Sequence, residues 1–324
     1  MARLHPAATG MSAVTTDPGY WFRAYQLLFA ASFPIPEMMT AEPVTADQEQ
    51  VPDVLIRSAE FPDRLTNPLG SSGVHEVNAD ALILRVADVG RYLVREGREI
   101  LIDRDPDATD HDVRVYLLGT CMGALLHQRG FLVLHASGVV TDRGCLLFTG
   151  ESGAGKSTLL AEFLHRGHKM VVDDVCAVRF DSADRPIVVP SYPRTRLWAD
   201  AADRFAIDTS GLARTRPSWD KFERQVGEQF WDQEEPVRHV FHLVGPQDSD
   251  EISLERLAPM DAFSTLVDNT YRGILLDGMD LRSSHFDLAS RAARSVEVTR
   301  VARPLGSDTV EELANRILAS VGAR

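Results

Sequence analysis

Cysteine is scarce in this chain. Cys121, Cys145 and Cys176 are the only 3 in 324 residues, an odd number, and each sits in an apolar segment. A disulfide framework or a thiolate metal site needs paired or clustered spacing. These three therefore read as small buried hydrophobes in a reducing compartment. Long apolar runs are missing as well. With no stretch of about 18 apolar residues, no membrane span is expected. Met1 to Gly10 has no apolar core of signal-peptide length, so a cytoplasmic location is expected. Positive charge is in deficit: 34 Lys and Arg stand against 47 Asp and Glu, a net charge of −13. That balance speaks against nucleic acid or an anionic membrane as the general partner, though not against a local basic pocket. Internal repeats and low-complexity tracts are also lacking. What is left is an ordinary globular composition, 44% hydrophobic and 25% charged, with length enough for one large domain or two ordinary ones.

Against that plain background one segment stands out. Gly150-Glu151-Ser152-Gly153-Ala154-Gly155-Lys156-Ser157 matches the pattern G-x-x-x-x-G-K-[ST] in full, and Thr158 follows. A loop that wraps a triphosphate needs glycines where the backbone turns through positive φ and its N–H groups approach phosphate. It needs a Lys for the β/γ-phosphates and a hydroxyl for Mg²⁺. Gly150, Gly153 and Gly155 supply the turns, Lys156 the charge and Ser157 the metal ligand. The flanks agree. Gly144 to Thr149 is a short apolar run that predicts a buried strand. Leu159, Leu160, Phe163 and Leu164 lie at helical spacing, and Gly167 stands where a C-cap glycine belongs. A helix opening at the loop would add its N–H groups and dipole to the phosphate site.

The second chemical signal lies 17 residues beyond Lys156. Lys169 to Val172 predicts a strand that ends in Asp173-Asp174. One helix and one turn would bring these carboxylates back beside the loop. Two adjacent acids near a metal-bound triphosphate can divide the work: one holds the metal, and the other takes the proton from an attacking hydroxyl. Asp174 is read as the metal ligand and Asp173 as the base. The apolar flanks, Val171-Val172 and Val175 to Val178, predict that both acids are half-buried and partnered. His135 sits in the apolar run Phe131 to Val140, a strand expected to pair with the one leading into the loop. Taken alone, a His in such a strand is more often a satisfied core group than a catalyst.

The rest of the chain organises around these segments. Residues 1–17 are expected to be disordered. Residues 18–110 are expected to form a small β-rich N-terminal domain. Its strands are predicted at Val54 to Ile56, at Ala81 to Val86 and, in preference to a helix, over Tyr20 to Phe33, whose aromatic and apolar residues show no clean period, with a hairpin from Arg91 to Ile102 and a loop over residues 34–52. Residues 111–324 are expected to form the catalytic domain. There Asp112 is read as the N-cap of a helix whose face carries Val113, Tyr116, Leu117, Cys121, Ala124 and Leu125, ending at Gly130. Further strands are predicted at 238–244 and 296–301, and helices at 259–267 and 286–293. A capping box at Asp308 to Glu311 is expected to open a last helix to about Val321.

Residues 131–180 resemble the C-terminal domain of HPr kinase/phosphorylase and, more distantly, the nucleotide core of phosphoenolpyruvate carboxykinase. The resemblance rests on Leu134 to Ser137, on Gly150 to Thr158, and on Arg166 to Asp174. It implies an α/β fold with a P-loop kinase core of that type, ATP and Mg²⁺ as cofactors, and a Ser-type hydroxyl as acceptor. It also implies that His135 orients or charges the acid pair or helps bind metal. The chain departs from HPr kinase/phosphorylases at Thr158, where they carry Glu, and over Pro190 to Trp198, where they carry an Arg-Gly-rich signature. These departures weigh against phosphorolysis and against HPr as acceptor. The whole chain looks more like divergent members with a β N-terminal domain, such as the kinases of lasso-peptide precursors. The expected partner is therefore a peptide or protein bearing a hydroxyl, with no nucleic acid and no membrane; homo-oligomers are left open. The alternatives are a small-molecule kinase acting on an amino acid or sugar hydroxyl, and a nucleotide-binding regulatory module without an acceptor.

Four basic residues are candidate substrate contacts. Arg194 and Arg196 lie two apart and would share one face of a strand, suited to an oxyanion. Lys221 and Arg224 fall in the basic, aromatic stretch from Arg214 to Arg224, read as a mobile loop able to close over the site. Trp198, Trp219 and Trp231 are read as packing groups.

Overall fold

A computed structural model describes residues 19–42, 51–215, 219–245, 251–304 and 309–323. It is a mixed α/β structure with several sheets and an N-terminal β region. The expectations for residues 1–17, for residues 43–50 of the 34–52 loop and for the cap at Asp308 lie outside the described residues.

The N-terminal region is a nine-stranded sheet: β1 (Tyr20–Ala24), β2 (Leu27–Ala31), β3 (Met39–Thr40), β4 (Val54–Ser58), β5 (Gly70–Ser71), β6 (His75–Val77), β7 (Ala81–Val86), β8 (Gly90–Arg95) and β9 (Glu99–Arg104), in the order β3-β1-β2-β4-β9-β8-β7-β6-β5. Neighbours are antiparallel except β2–β4 and β4–β9, which run parallel. The β8–β9 hairpin turns through Glu96 and Gly97, both at positive φ (53° and 61°), which matches its twist to that of the strands.

The next segment is a broken helix. α1 (Asp110–Tyr116) leads into a π-helical turn at Leu117–Cys121 and then α2 (Met122–Gln128). Its N-cap is Thr109, three residues before the expected Asp112. Thr109 and Asp112 form a reciprocal capping box, so Asp112 serves as its acidic member and not as the cap.

The second large sheet begins with β10 (Leu132–Thr141), a ten-residue strand with three partners. Its first half pairs with β13 (Val175–Phe180) and its second half with β11 (Gly144–Gly150) and β12 (Lys169–Val172). β11 runs parallel to β17 (Glu235–Leu243), and β17 in turn parallel to β19 (Glu297–Ala302). β14 (Pro186–Val189) joins β13 to β17, and β18 (Ser253–Arg256) closes the far edge. Between them lie β15 (Arg194–Trp198), α4 (Ala199–Arg204) and β16 (Lys221–Gln225), the two strands pairing as a separate antiparallel hairpin. α3 (Lys156–His165) and α8 (Val310–Val321) cover one apolar surface of the sheet, where Phe148, Phe163 and Phe241 cluster. Each such buried ring contributes about 1.5–3 kcal/mol. α5 (Pro259–Asp268) and α7 (Arg282–Ser295) cover another, and α6 (Leu275–Gly278) touches the N-terminal sheet. α7 starts four residues earlier than its apolar pattern indicates.

A third core joins the N-terminal sheet to the broken helix and to Val133, Val175, Tyr192 and Tyr271. The three cysteines are buried and unpaired. Among the described residues no helix is long and apolar enough to cross a membrane.

Candidate functional site

The glycine-rich loop runs from the end of β11 into α3. Gly150 sits at φ 139°, and a Cβ there would lie 2.2 Å from the carbonyl oxygen of Leu243, so only glycine fits. Gly155 is the left-handed N-cap of α3 at φ 104°. At the other end, Gly167 N–H donates to Leu164 O at 3.0 Å and His168 N–H to Phe163 O at 3.0 Å, the Schellman closure that Gly167 predicts. Lys156 is buried with its Nζ folded onto the loop, donating to Gly150 O at 2.6 Å and to Glu151 O at 3.0 Å. Burial lowers the pKa of this ammonium, and the nearby Asp173 and Asp174 carboxylates pull it back part of the way.

The acids occupy the turn between β12 and β13, where β10 exchanges one partner strand for the other. His135 and Ser137 are two apart on β10 and so face the same side. Ser137 Oγ donates to Asp173 Oδ1 at 2.7 Å. Thr195 Oγ1 and the Arg196 N–H donate to Asp173 Oδ2 at 2.8 and 3.0 Å. Asp173 is thus buried with three of its roughly four acceptor positions taken. Asp174 sits at φ 74°, a left-handed conformation that a non-glycine residue adopts at a cost. Its Oδ2 accepts from Arg196 Nη1 at 2.6 Å, and its Oδ1 lies 3.2 Å from His135 Nδ1. His135 Nδ1 also lies 3.1 Å from the Asp174 carbonyl. Burial raises the Asp174 pKa, but Arg196 and then His135 outweigh it and hold the carboxyl well below the usual carboxylate range.

The β15–β16 hairpin supplies the basic side. Arg194 and Arg196 do share a face: both reach Glu223 Oε1, at 2.6 and 3.3 Å. Arg194 is buried behind the site and also donates to the Tyr192 hydroxyl at 3.3 Å. Arg196 Nη2 is buried with no hydrogen-bond partner. Lys221 and Arg224 lie on β16, so for them strand pairing replaces the expected mobile loop: Lys221 stands opposite Trp198 and Arg224 opposite Thr195. Residues 216–218 of that stretch lie outside the described residues. Lys221 Nζ lies 5.5 Å from the Trp198 ring, which stacks on Trp219 at 6.0 Å. Arg224 turns instead to Gln229.

These groups share one cavity of about 1070 Å³. Its walls hold Ser152 to Thr158, His135, Asp173, Asp174, Arg196 and Lys221, together with both stacked tryptophans. Gly150 and Glu151 line an adjoining cavity, while Arg194 and Arg224 line neither. Among the described residues no three His, Cys, Asp or Glu side chains cluster so as to hold a metal by themselves. A magnesium ion on a nucleotide needs only one or two protein oxygens, because phosphate and water supply the others. The Ser157 hydroxyl and the Asp174 carboxylate, both in the cavity wall, fit that donor set.

Several groups at the site escaped the sequence reading. Ser137 had a signal, since strand period places it on the same side as His135. Thr195 sits between the two flagged arginines. Glu223, which joins both arginines, and Arg303 had none. Arg303 follows β19 in the cavity wall, and its Nη2 lies 3.4 Å from where a Cβ on Gly155 would be.

No family model matches the chain, and no curated protein matches it. Among solved structures it is similar to the Hpr(Ser) kinase/phosphatase from Coxiella burnetii, with 18% identity and a TM-score of 0.30, over 58% of this chain and 94% of that one.

Proposed function

We propose that this protein is an ATP- and Mg²⁺-dependent kinase that transfers the γ-phosphoryl group to a hydroxyl. The observation that carries this reading is that the glycine-rich loop, Lys156 and the Asp173–Asp174 turn line a single cavity. In this reading the core is a P-loop kinase core. The N–H groups of Gly150 to Thr158 bind the phosphates, and Lys156 and Arg196 offset charge on the transferring group. Ser157 and Asp174 would hold magnesium, which would neutralise charge on the phosphates. Asp173 accepts the proton of the acceptor hydroxyl at its remaining acceptor position. The acceptor oxygen bonds to the γ-phosphorus as the bond to the bridging oxygen breaks, and ADP leaves. Ser137 and Thr195 hold Asp173 in place, and His135 holds Asp174.

The acceptor in this reading is a Ser-type hydroxyl of a peptide or protein, as the resemblance over residues 131–180 implies. A cytoplasmic location goes with it, since three buried thiols stay unpaired. A second reading, a small-molecule acceptor, is favoured by one observation: an adjoining cavity of about 410 Å³ shares His135 and Asp174 with the larger one.

Lys156→Ala and Asp173→Asn are each expected to abolish transfer while circular dichroism shows the fold retained. Mass spectrometry for phosphorylated product, with ATP, Mg²⁺ and candidate acceptors, reads the outcome. Intact transfer in either variant contradicts the assignment. Steady ATP hydrolysis with no phosphorylated product across the acceptors would favour a regulatory module instead.

A further inference from the structure

The smaller cavity meets the larger one at His135, Asp174 and Arg196. Gly150 to Ser152 of the glycine-rich loop form one side of it, and the rest of its wall comes from elements the phosphate chemistry does not use: the π-helical turn, the residues that follow α5, and Thr215. Three of its polar side chains are more than nine-tenths buried: Thr215 at 6% exposure, Thr120 at 8% and Tyr271 at 8%. Thr215 Oγ1 is buried with no hydrogen-bond partner, as is Arg196 Nη2. Among the described residues nothing hydrogen-bonds the Tyr271 hydroxyl. Buried polar groups are normally paired, so these two orphans, Thr215 Oγ1 and Arg196 Nη2, in one cavity wall point to a polar occupant that completes them.

The placement of Tyr271 is built. Its N–H donates to Val133 O at 2.9 Å, and its carbonyl lies 2.8 Å from His127 Nε2. Its ring lies on Gly119 and Gly123, four residues apart on the broken helix. A Cβ on Gly123 would stand 2.6 Å from the ring, and one on Gly119 would stand 3.2 Å from the hydroxyl oxygen. Arg272, which follows, is held at φ 54° in the same wall. A π-helical turn and left-handed non-glycine residues around one cavity are irregularities that occur at functional sites.

Given the phosphotransfer reading above, on which this rests, we propose that the smaller cavity is the acceptor subsite and takes a compact polyhydroxylated molecule of sugar or cyclitol class. The wall carries the hydroxyls of Thr120, Thr215 and Tyr271, which both donate and accept and so match the hydroxyls of a polyol. Tyr116, Tyr271 and Trp219 offer flat apolar faces to a sugar ring. The volume lies near the low end of ligand cavities, about 300–1,000 Å³. The two cavities join at Asp174, and an acceptor held in the smaller one extends its hydroxyl past Asp174 toward Asp173, which lines the larger cavity. A peptide acceptor is the competing occupant.

The test is calorimetric binding to the full chain, with D-ribose, D-glucose, myo-inositol, glycerol, N-acetyl-serinamide and a serine-containing decapeptide as probes, with and without a non-hydrolysable ATP analogue. At least one of the three cyclic polyols is expected to bind, and Thr215→Val and Tyr271→Phe, which remove only a hydroxyl's hydrogen bonding, are each expected to weaken it tenfold or more. Binding of the ATP analogue should stay within twofold in both variants. Absence of binding by all three cyclic polyols overturns the proposal, as does polyol binding indifferent to both substitutions. Decapeptide binding that the two substitutions weaken, without polyol binding, assigns the cavity to peptide and overturns it too. Polyol binding with the expected variant losses, but without phosphorylated product under ATP and Mg²⁺, leaves the cavity assignment standing and sinks the kinase reading alone.

Discussion

Asp174→Asn is the sharpest probe of the acid turn, because it keeps the shape and removes the charge. In the native site Arg196 Nη1 lies 2.6 Å from Asp174 Oδ2, with the two side chains 12% and 21% exposed. Deleting one partner of a buried pair costs about 3–5 kcal/mol. Here Arg196 retains Glu223 at 3.3 Å, and both partners keep some solvent, which places the cost nearer 2–3 kcal/mol. For a chain of this length that is a melting temperature lower by roughly 3–4 °C. Arg196→Met should cost a similar amount, and the double variant should recover about 1–2 kcal/mol of the summed loss, since neither charge is then stranded. The pH dependence carries a sign. The Asp174 pKa is depressed in the folded state, so its stabilisation is complete above the unfolded value of about 3.9 and fades as pH falls below it. Wild type and Asp174→Asn should therefore differ by a constant amount from pH 8 to about 5 and converge in stronger acid. Scanning calorimetry across that range reads both effects. Equal melting temperatures at pH 7, or strictly additive single and double variants, would refute the reasoning.

Two further outcomes test the scaffold. Burial lowers the pKa of both His127 and His239 to about 4, while the unfolded chain takes the proton near 6.5. The unfolded state thus binds more protons between these values, and stability should fall as pH drops from about 6.5 to 4, by up to about 1.4 kcal/mol per unit for each histidine. His127→Gln should flatten part of that slope in melts run from pH 7.5 to 5, and an unchanged slope would count against buried His127 as its source. Gly150→Ala should destabilise by roughly 3 kcal/mol or more, through the clash with Leu243 O added to backbone strain. Gly153→Ala, at φ 87° with open space around it, should cost only about 1–2 kcal/mol. Equal losses in the two melts would show that the Leu243 contact does not matter.

What could be read in advance was what is local. The loop, its flanking strand and helix, the Schellman glycine and the strand ending in two acids each depend on residues within one turn or one hairpin. The paired arginines of β15 were legible for the same reason, since strand period alone puts them on one face. The partners were less accessible. Glu223 meets Arg196 across 27 residues of chain, and the Tyr192 hydroxyl that accepts from Arg194 itself donates to Leu118 O, 74 residues away. The π-helical turn has no sequence signature; it arises where the helix must present Gly119 and Gly123 to Tyr271. The reading of Arg214 to Arg224 as a loop failed over Lys221 to Arg224 because its basic residues suggested solvent, whereas Phe222 and Glu223 pair across to Leu197 and Arg196.

The first hairpin of the chain reaches far from its own sheet. Tyr25, at φ 53° in the β1–β2 turn, donates its hydroxyl to the carbonyl of Val175 at 3.1 Å, and its N–H donates to Pro190 O at 2.8 Å. Val175 is the residue directly after Asp174, so a tether from 150 positions upstream fixes where the acid turn ends. The glycine-rich half therefore cannot be transplanted as a cassette: cut free of that hairpin, it would keep every residue of the loop and the acid turn and lose the peg that sets their spacing.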